Sequence, residues 1–367
     1  MGVKMQSNEE RKANKITFIV ILIIILFFIF TLIFSYNFID NSSNNDHSQL
    51  KSPEDCYPKE SDKAKHDSEY PVEGLSWSPD GTLLAASSEN DGFIVWDTNN
   101  WVKVYQNDRR YLFPTSFSWK SDGSLLAVGR NMRGICIFDT STWEPKYHLE
   151  DGIDMVQKLS FNPDDSKLAS ANFQDKIKIW DCNNWKLIKS FKAHNDTIKQ
   201  IDWSPDGTML ASSSWDNTIK IWKTSNWKLY HNLISHKDHT EGVSWSPDGS
   251  KLATGSWDDT VVIWETLNWT ESHIIHENYT SNGLVQWNYN GKLLAVNSFS
   301  EIRIYDTSSW NLISYLPGHN MGTFSFGWCG IDNRCASAST SNQINIWEYE
   351  QTSNSFKLER QLELIFD

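Results

Sequence analysis

Residues 194–236 read HNDTIKQIDWSPDGTMLASSSWDNTIKIWKTSNWKLYHNLISH and hold one complete structural unit. IKQIDW alternates and is rich in Ile and Trp, the pattern of a half-buried strand. SPDG is a turn: Pro presets φ, and Gly supplies the positive φ that closes a hairpin. TMLASSS reads as a second strand, Asp216-Asn217 as a second turn, TIKIW as a third strand and WKLYHNLI as a fourth.

The unit recurs. Trp222 has counterparts at Trp96, Phe138, Trp180, Trp264, Tyr305 and Trp347, with successive spacings along the chain of 42, 42, 42, 42, 41 and 42. A second line lies five residues on, at Trp101, Trp143, Trp185, Trp227, Trp269 and Trp310. A third, in the first strand, runs Trp77, Trp119, Phe161, Trp203, Trp245, Trp287 and Trp328. All but two of the 19 Trp fall on these lines, and the other two, Trp215 and Trp257, are themselves 42 apart. A fixed period near 40 with four short strands per unit is the mark of a repeat array. Seven units occupy residues 71–367 and leave no room for a second folded domain.

These residues resemble WD40 repeats, whose signature runs from Gly-His to Trp-Asp. Trp96-Asp97 and Trp180-Asp181 match it, with Phe138-Asp139 and Tyr305-Asp306 as aromatic variants. Trp222-Lys223, Trp264-Glu265 and Trp347-Glu348 depart from it, and of the Gly-His pairs only Gly318-His319 is intact. The resemblance implies an all-β, seven-bladed WD40-like β-propeller. It also implies buried hydrogen-bonded tetrads at His194, Ser212, Asp216 and Trp222 and at His236, Thr254, Asp258 and Trp264. The tetrad Asp is replaced by Gln174 in the third unit and Ser341 in the last, so those blades are expected to be looser. FKLERQLELI, near the C-terminus, alternates and is expected to supply the seventh blade's fourth strand, closing the ring without strand exchange. Trp203 and Trp222 are expected between adjacent blades, with Trp227 opening an outer strand.

Ahead of the repeats, a short basic tail (1–15) precedes a membrane anchor expected over 16–39, built on the apolar run 16–34. Nineteen helical residues at ~1.5 Å each cover about 28 Å, close to the ~30 Å hydrocarbon core. A cleaved signal peptide is the rival reading, but the run is long and ends with no A-x-A-like site. Lys4, Arg11, Lys12 and Lys15 precede the span, against Lys51 and Lys59 shortly after it. The positive-inside rule then places the N-terminus in the cytoplasm and the propeller outside it. Residues 40–70 are polar and poor in aliphatics and read as a flexible tether, with a reach on the order of 30 Å.

The formal charge is −13, and without the +2 of the tail it is −15. That surface repels phosphate backbones, so a protein or peptide partner is expected rather than nucleic acid. Five Cys make no disulfide scaffold. Cys136 and Cys182 read as plain free thiols, and Cys56 has no local mate. Cys329 and Cys335 flank one turn, where either a bridge or two free thiols fits.

No nucleophile elbow, P-loop, HExxH or CxxC motif is present, so no enzyme activity, cofactor or metal is expected. His236-x-x-His239 and His273-x-x-His276 have metal-pair spacing, but structural or surface histidines explain them better. The stronger signal is a phased line at Phe173, Trp215, Trp257 and Phe299. In WD40 proteins that position lies on the top face of the ring, which implies an arc of aromatics available to a partner. The resemblance also brings Met155, Thr197, Lys199, His239, Glu241 and Phe324 to that face. Exposed aromatics with Trp among them mark binding surfaces. The expected function is a membrane-tethered interaction scaffold. An extracytoplasmic sugar- or small-ligand-binding propeller is the alternative, and a propeller hydrolase ranks third.

Overall fold

The computed structural model describes residues 50–56 and 72–364, apart from short loops at 89–91, 108–113, 132–133, 151–154, 278–282, 299–300, 318, 320–322, 340–341, 351–352 and 354. The expected membrane span lies outside the described residues. Among those described, no helix is long and apolar enough to cross a membrane.

Seven antiparallel sheets follow one another along the chain, each built from four consecutive strands. Blade four consists of Ile198–Trp203, Met209–Ser214, Ile219–Lys223 and Lys228–Leu233. First strands of neighbouring blades pack on one another, which sets them around the axis. Burial follows that order. In blade five the first strand, Thr240–Trp245, is buried along its whole length, whereas the outermost strand of blade four is mostly exposed. Each blade thus hides its inner strands behind its neighbours and leaves only a short outer edge.

The Pro-Asp-Gly turns form as the sequence predicts. Gly207 and Gly249 sit at φ +70° and +71°, where a side chain is disfavoured. The Asp206 carboxylate accepts hydrogen bonds from Ser204 Oγ (2.6 Å) and the Thr208 main chain (3.0 Å).

The first-strand tryptophans stitch blades together. The indole N–H of Trp203 donates to Ser160 O (3.1 Å) and that of Trp245 to Asp202 O (3.2 Å), each one blade back. The same bond closes the ring: Trp77 donates to Gly327 O (3.1 Å), 250 residues away. Arg334 covers the Trp77 ring, its guanidinium carbon 5.1 Å from the centroid. Ser355–Glu363 supplies the fourth strand of blade seven, so the ring closes without strand exchange, as expected.

The second Trp line differs from expectation. Trp101, Trp143, Trp185, Trp227, Trp269 and Trp310 all have φ between 57° and 60°. Each donates its main-chain N–H to the carbonyl four residues earlier, at 2.6–2.8 Å. Trp227 therefore closes the turn, and the outer strand begins only at Lys228. Left-handed backbone costs an L-residue roughly 1–2 kcal/mol. Packing offsets it: Trp227 lies edge-on to Trp203 (5.8 Å), and Trp269 to Trp245 (5.8 Å). Both Trp227→Gly and Trp227→Ala lose the indole, but only glycine relieves the backbone. Trp227→Gly is expected to be the more stable by roughly 1 kcal/mol in urea unfolding. The reverse order would contradict this account.

Blade two carries a fifth strand. Leu50 and Lys51, within the segment expected to be a free tether, pair antiparallel with Leu149 and His148 on its outer edge. A 3-10 turn, Pro53–Cys56, follows, and Cys56 forms a disulfide with Cys136, 80 residues on, their Cα atoms 5.9 Å apart. Both readings of these cysteines, one without a mate and one a free thiol, are thereby corrected. The buried Arg130 guanidinium donates to Cys56 O (3.2 Å) and lies 2.9 Å from His148 Nε2. Cys182, Cys329 and Cys335 are free, so the open alternative for the last two resolves to thiols. Burial, with Asp165 and Asp181 beside it, pushes the Cys182 thiol up to about 12, where it stays protonated and unreactive.

Candidate functional site

The tetrads fix the turns that carry the site. In blade four the Trp222 indole donates to Ser212 Oγ (3.0 Å), which lies 2.7 Å from His194 Nε2. His194 Nδ1 lies 3.0 Å from the Asp216 carboxylate. Burial holds the His194 pKa below its ordinary value. The neutral ring then donates from Nδ1 to Asp216 and accepts the Ser212 hydroxyl proton at Nε2, an assignment made from the partners. Burial would lift the Asp216 pKa, but hydrogen bonds from His194, Thr218 and the Asn195 main chain outweigh it and hold it far below the usual carboxylate range. Blade five repeats the relay: Trp264 to Thr254 (3.0 Å), Thr254 with His236 (2.9 Å) and His236 with Asp258 (3.2 Å).

Asp216 and Asp258 thereby anchor the turns that begin with Trp215 and Trp257. The Trp215 main-chain N–H donates to Thr197 O (3.0 Å), and that of Trp257 to His239 O (2.9 Å). Second-to-third-strand turns and blade-entry loops therefore share one face. The His239 ring stacks on Trp215 at 5.2 Å and 22°, and meets Trp257 edge-on at 5.3 Å. The two indoles lie 6.0 Å apart. The Trp215 indole donates to the Glu241 carboxylate (2.6 Å). Lys199 Nζ stands 4.8 Å from the Trp215 centroid and 3.7 Å from Glu241. Next along the same first strand, the half-buried Asp202 accepts from the Trp245 main chain (2.8 Å). Burial pushes its pKa up to about 7.

Of the residues expected on this face, the structure thus joins Lys199, Trp215, His239, Glu241 and Trp257 into one cluster across blades four and five. Phe173 holds the equivalent turn of blade three, its N–H bonded to Met155 O (2.9 Å). Phe299 lies outside the described residues. Phe324 sits in the first strand of blade seven, Thr323–Trp328, and its side chain lies outside the described residues. His236 is engaged in its tetrad and His239 in the aromatic stack. Among the described residues, no group of three or more His, Cys, Asp or Glu is placed to hold a metal ion.

Three segments, 143–181, 185–223 and 227–265, match the family described as WD domain, G-beta repeat, and residues 75–154 match the Anaphase-promoting complex subunit 4 WD40 domain. The chain belongs to the WD40-repeat β-propeller family. No curated protein matches its sequence. Each WD repeat matched runs from a left-handed tryptophan to the end of the next blade's third strand. A WD40 repeat is thus offset from a blade by one strand, and every repeat covalently joins two blades.

One WD40 blade replaces its tetrad with different chemistry, which the sequence reading missed. Glu277 stands 28 residues before Tyr305, as His194 does before Trp222. Its side chain is fully buried, receives the Tyr305 hydroxyl and pairs with Arg303. Burial, with the Glu277 carboxylate beside it, raises the Tyr305 pKa. The 28-residue spacing is the sequence signal that marks Glu277 as the counterpart of His194.

Blade seven keeps His319, 2.8 Å from Ser337 Oγ, with Trp347 donating to the same oxygen (3.0 Å). Burial lowers the His319 pKa to about 4. The folded state keeps this ring neutral, while the unfolded chain protonates it below ~6.5. Acid therefore favours unfolding. Stability from His319 is complete above ~6.5 and declines to pH 4, by up to about 3 kcal/mol. The lowered His194 acts with the same sign. Asp202, whose pKa burial pushes up, acts with the opposite sign over the same range, so the His319 contribution is read by difference. Between pH 7.5 and 4.5 the melting temperature is expected to fall further for the parent chain than for His319→Gln, and equal falls would show that His319 protonates in the fold.

Proposed function

We propose that the protein is a membrane-tethered interaction scaffold that docks a protein or peptide on the top face of blades four and five. WD40 propellers generally serve as protein-interaction scaffolds. The observation that carries the assignment to this face is the half-buried stack of Trp215, His239 and Trp257, held by two tetrads and edged by Lys199 and Glu241. A rigid aromatic patch with a charged rim matches the usual make-up of binding hot spots.

The propeller is assigned to the extracytoplasmic side, with the N-terminus in the cytoplasm and the 16–34 run as anchor. Two independent features support that orientation. Lys and Arg cluster ahead of the apolar run. The Cys56–Cys136 disulfide belongs to an oxidising compartment.

A small-ligand reading has one feature in its favour. A cavity of about 540 Å³ opens between blades six and seven on the opposite face, with Tyr289, Tyr349, Lys292, Arg334, Asp306 and Glu348 in its walls. Sugar stacking on Trp215 is disfavoured on the face where the His239 ring already lies against the indole.

Crosslinking and pull-down with the full-length chain from native membranes tests the docking reading. Trp215→Ala combined with Trp257→Ala is expected to abolish capture while the melting transition persists. Undiminished capture by the folded double variant would move the docking site elsewhere.

A further inference from the structure

We infer that the docked partner presents a cationic side chain, a lysine or arginine of a peptide segment, and that Lys199 fills the cation's place in the unbound protein. This rests on the docking reading above and specifies its chemistry. The Lys199 ammonium already makes the two contacts such a side chain would make. It stands 4.8 Å from the Trp215 centroid and 3.7 Å from the Glu241 carboxylate. A cation over an indole beside a carboxylate is a favourable, partly desolvated pairing. The Lys199 side chain is 24% exposed, whereas that of Glu241 is 8% exposed. The carboxylate is thus the fixed wall of the site and the lysine its displaceable occupant.

Charge selects the same partner. The top loops and strand ends of blades four and five carry Asp196, Asp216, Asp238, Glu241, Asp258 and Asp259, against Lys199, Lys220 and Lys237. An acidic segment would meet this excess of carboxylates, and a basic one is drawn to it.

The second indole supplies an independent observation. Trp215 gives its N–H to Glu241, but the equivalent position one blade on is Gly283, which has no side chain. The buried Trp257 Nε1–H has no acceptor among the described residues. A buried donor left unpaired is costly. A main-chain carbonyl of a peptide laid across the two blades satisfies it after a small turn of the ring, while the neighbouring basic side chain takes the Lys199 position.

The test is selection of a random peptide library, displayed on phage, on the full-length chain in detergent, with the folded Trp215→Ala/Trp257→Ala variant as counter-selection. Peptides that need the tryptophans are expected to share a Lys or Arg at one aligned position. For a synthetic copy of such a peptide, norleucine at that position is expected to weaken binding at least ~10-fold. Glu241→Gln, which keeps an acceptor for the Trp215 indole, is expected to weaken it by a similar factor. Lys199→Met, which removes the internal competitor, is expected to tighten it several-fold. Tryptophan-dependent peptides lacking a basic residue, or weaker binding by Lys199→Met, would overturn the cation assignment and leave docking intact. Recovery of no tryptophan-dependent peptide would overturn both.

Discussion

Replacing Cys56 with serine is expected to remove about 4 kcal/mol of stability from the propeller. The disulfide to Cys136 closes a loop of 80 residues, and a cross-link of that span restricts the unfolded chain by about 4–5 kcal/mol. Beyond that general effect lies a local one. Cys56 is buried, its carbonyl receives the Arg130 guanidinium, and Leu50 and Lys51 pair along the blade-two edge. Without the link the strap loses its covalent anchor, and its detachment takes the Cys56 carbonyl from Arg130. Urea unfolding with and without reductant checks this, together with mapping of the non-reduced protein to find the 56–136 linkage. Equal midpoints in both conditions would show that the strap contributes nothing.

Trp222→Ala is expected to cost ~3–5 kcal/mol, the range for emptying a buried aromatic site. Trp222 is 6% exposed and lies in a core cluster drawn from blades three and four, 5.0 Å from the Phe191 ring. Its loss opens a cavity at a blade interface and takes the donor from Ser212, which in turn positions His194 and the Asp216 turn. Two readouts are therefore linked. Stability falls, and the Trp215 turn loosens, so partner capture weakens too. Trp222→Phe fills most of the volume without the N–H. It is expected to lose less stability, because the Ser212 hydroxyl keeps its bond to His194 and only the N–H it accepted is lost. A melting shift too small to detect for Trp222→Ala would contradict its placement at the interface.

The fold was legible because each of three phased tryptophan positions repeats its own job in successive blades, and the repeat spacing states blade number directly. The two complete tetrads were legible for a related reason: their four side chains keep fixed offsets within one unit. The strap was not. Cys56 and Cys136 become neighbours only once blade two exists and its outer strand, Glu144–Leu149, offers a free edge to Leu50–Lys51. Local composition marked that segment as unable to order itself, which holds for the segment alone and fails against an edge that supplies the missing partners. The left-handed tryptophans were hidden by propensity, which places a bulky aromatic in a strand and not in a turn with positive φ. At the candidate site, Trp215, Trp257, Lys199, His239 and Glu241 could each be assigned to a face by position. Their mutual arrangement, above all the lysine lying over Trp215, depends on the distance between two adjacent blades, which no single repeat encodes.

The most direct measurement incorporates a photoreactive benzoylphenylalanine at position 257 in one variant of the full-length chain and at position 267 in another, and irradiates living cells. Leu267 is 96% exposed in a third-to-fourth-strand turn on the opposite face. A partner band from position 257, lost when Trp215 is also changed to Ala, with none from position 267, is the predicted result. A partner captured from 267 and not from 257 would contradict the assignment of the top face.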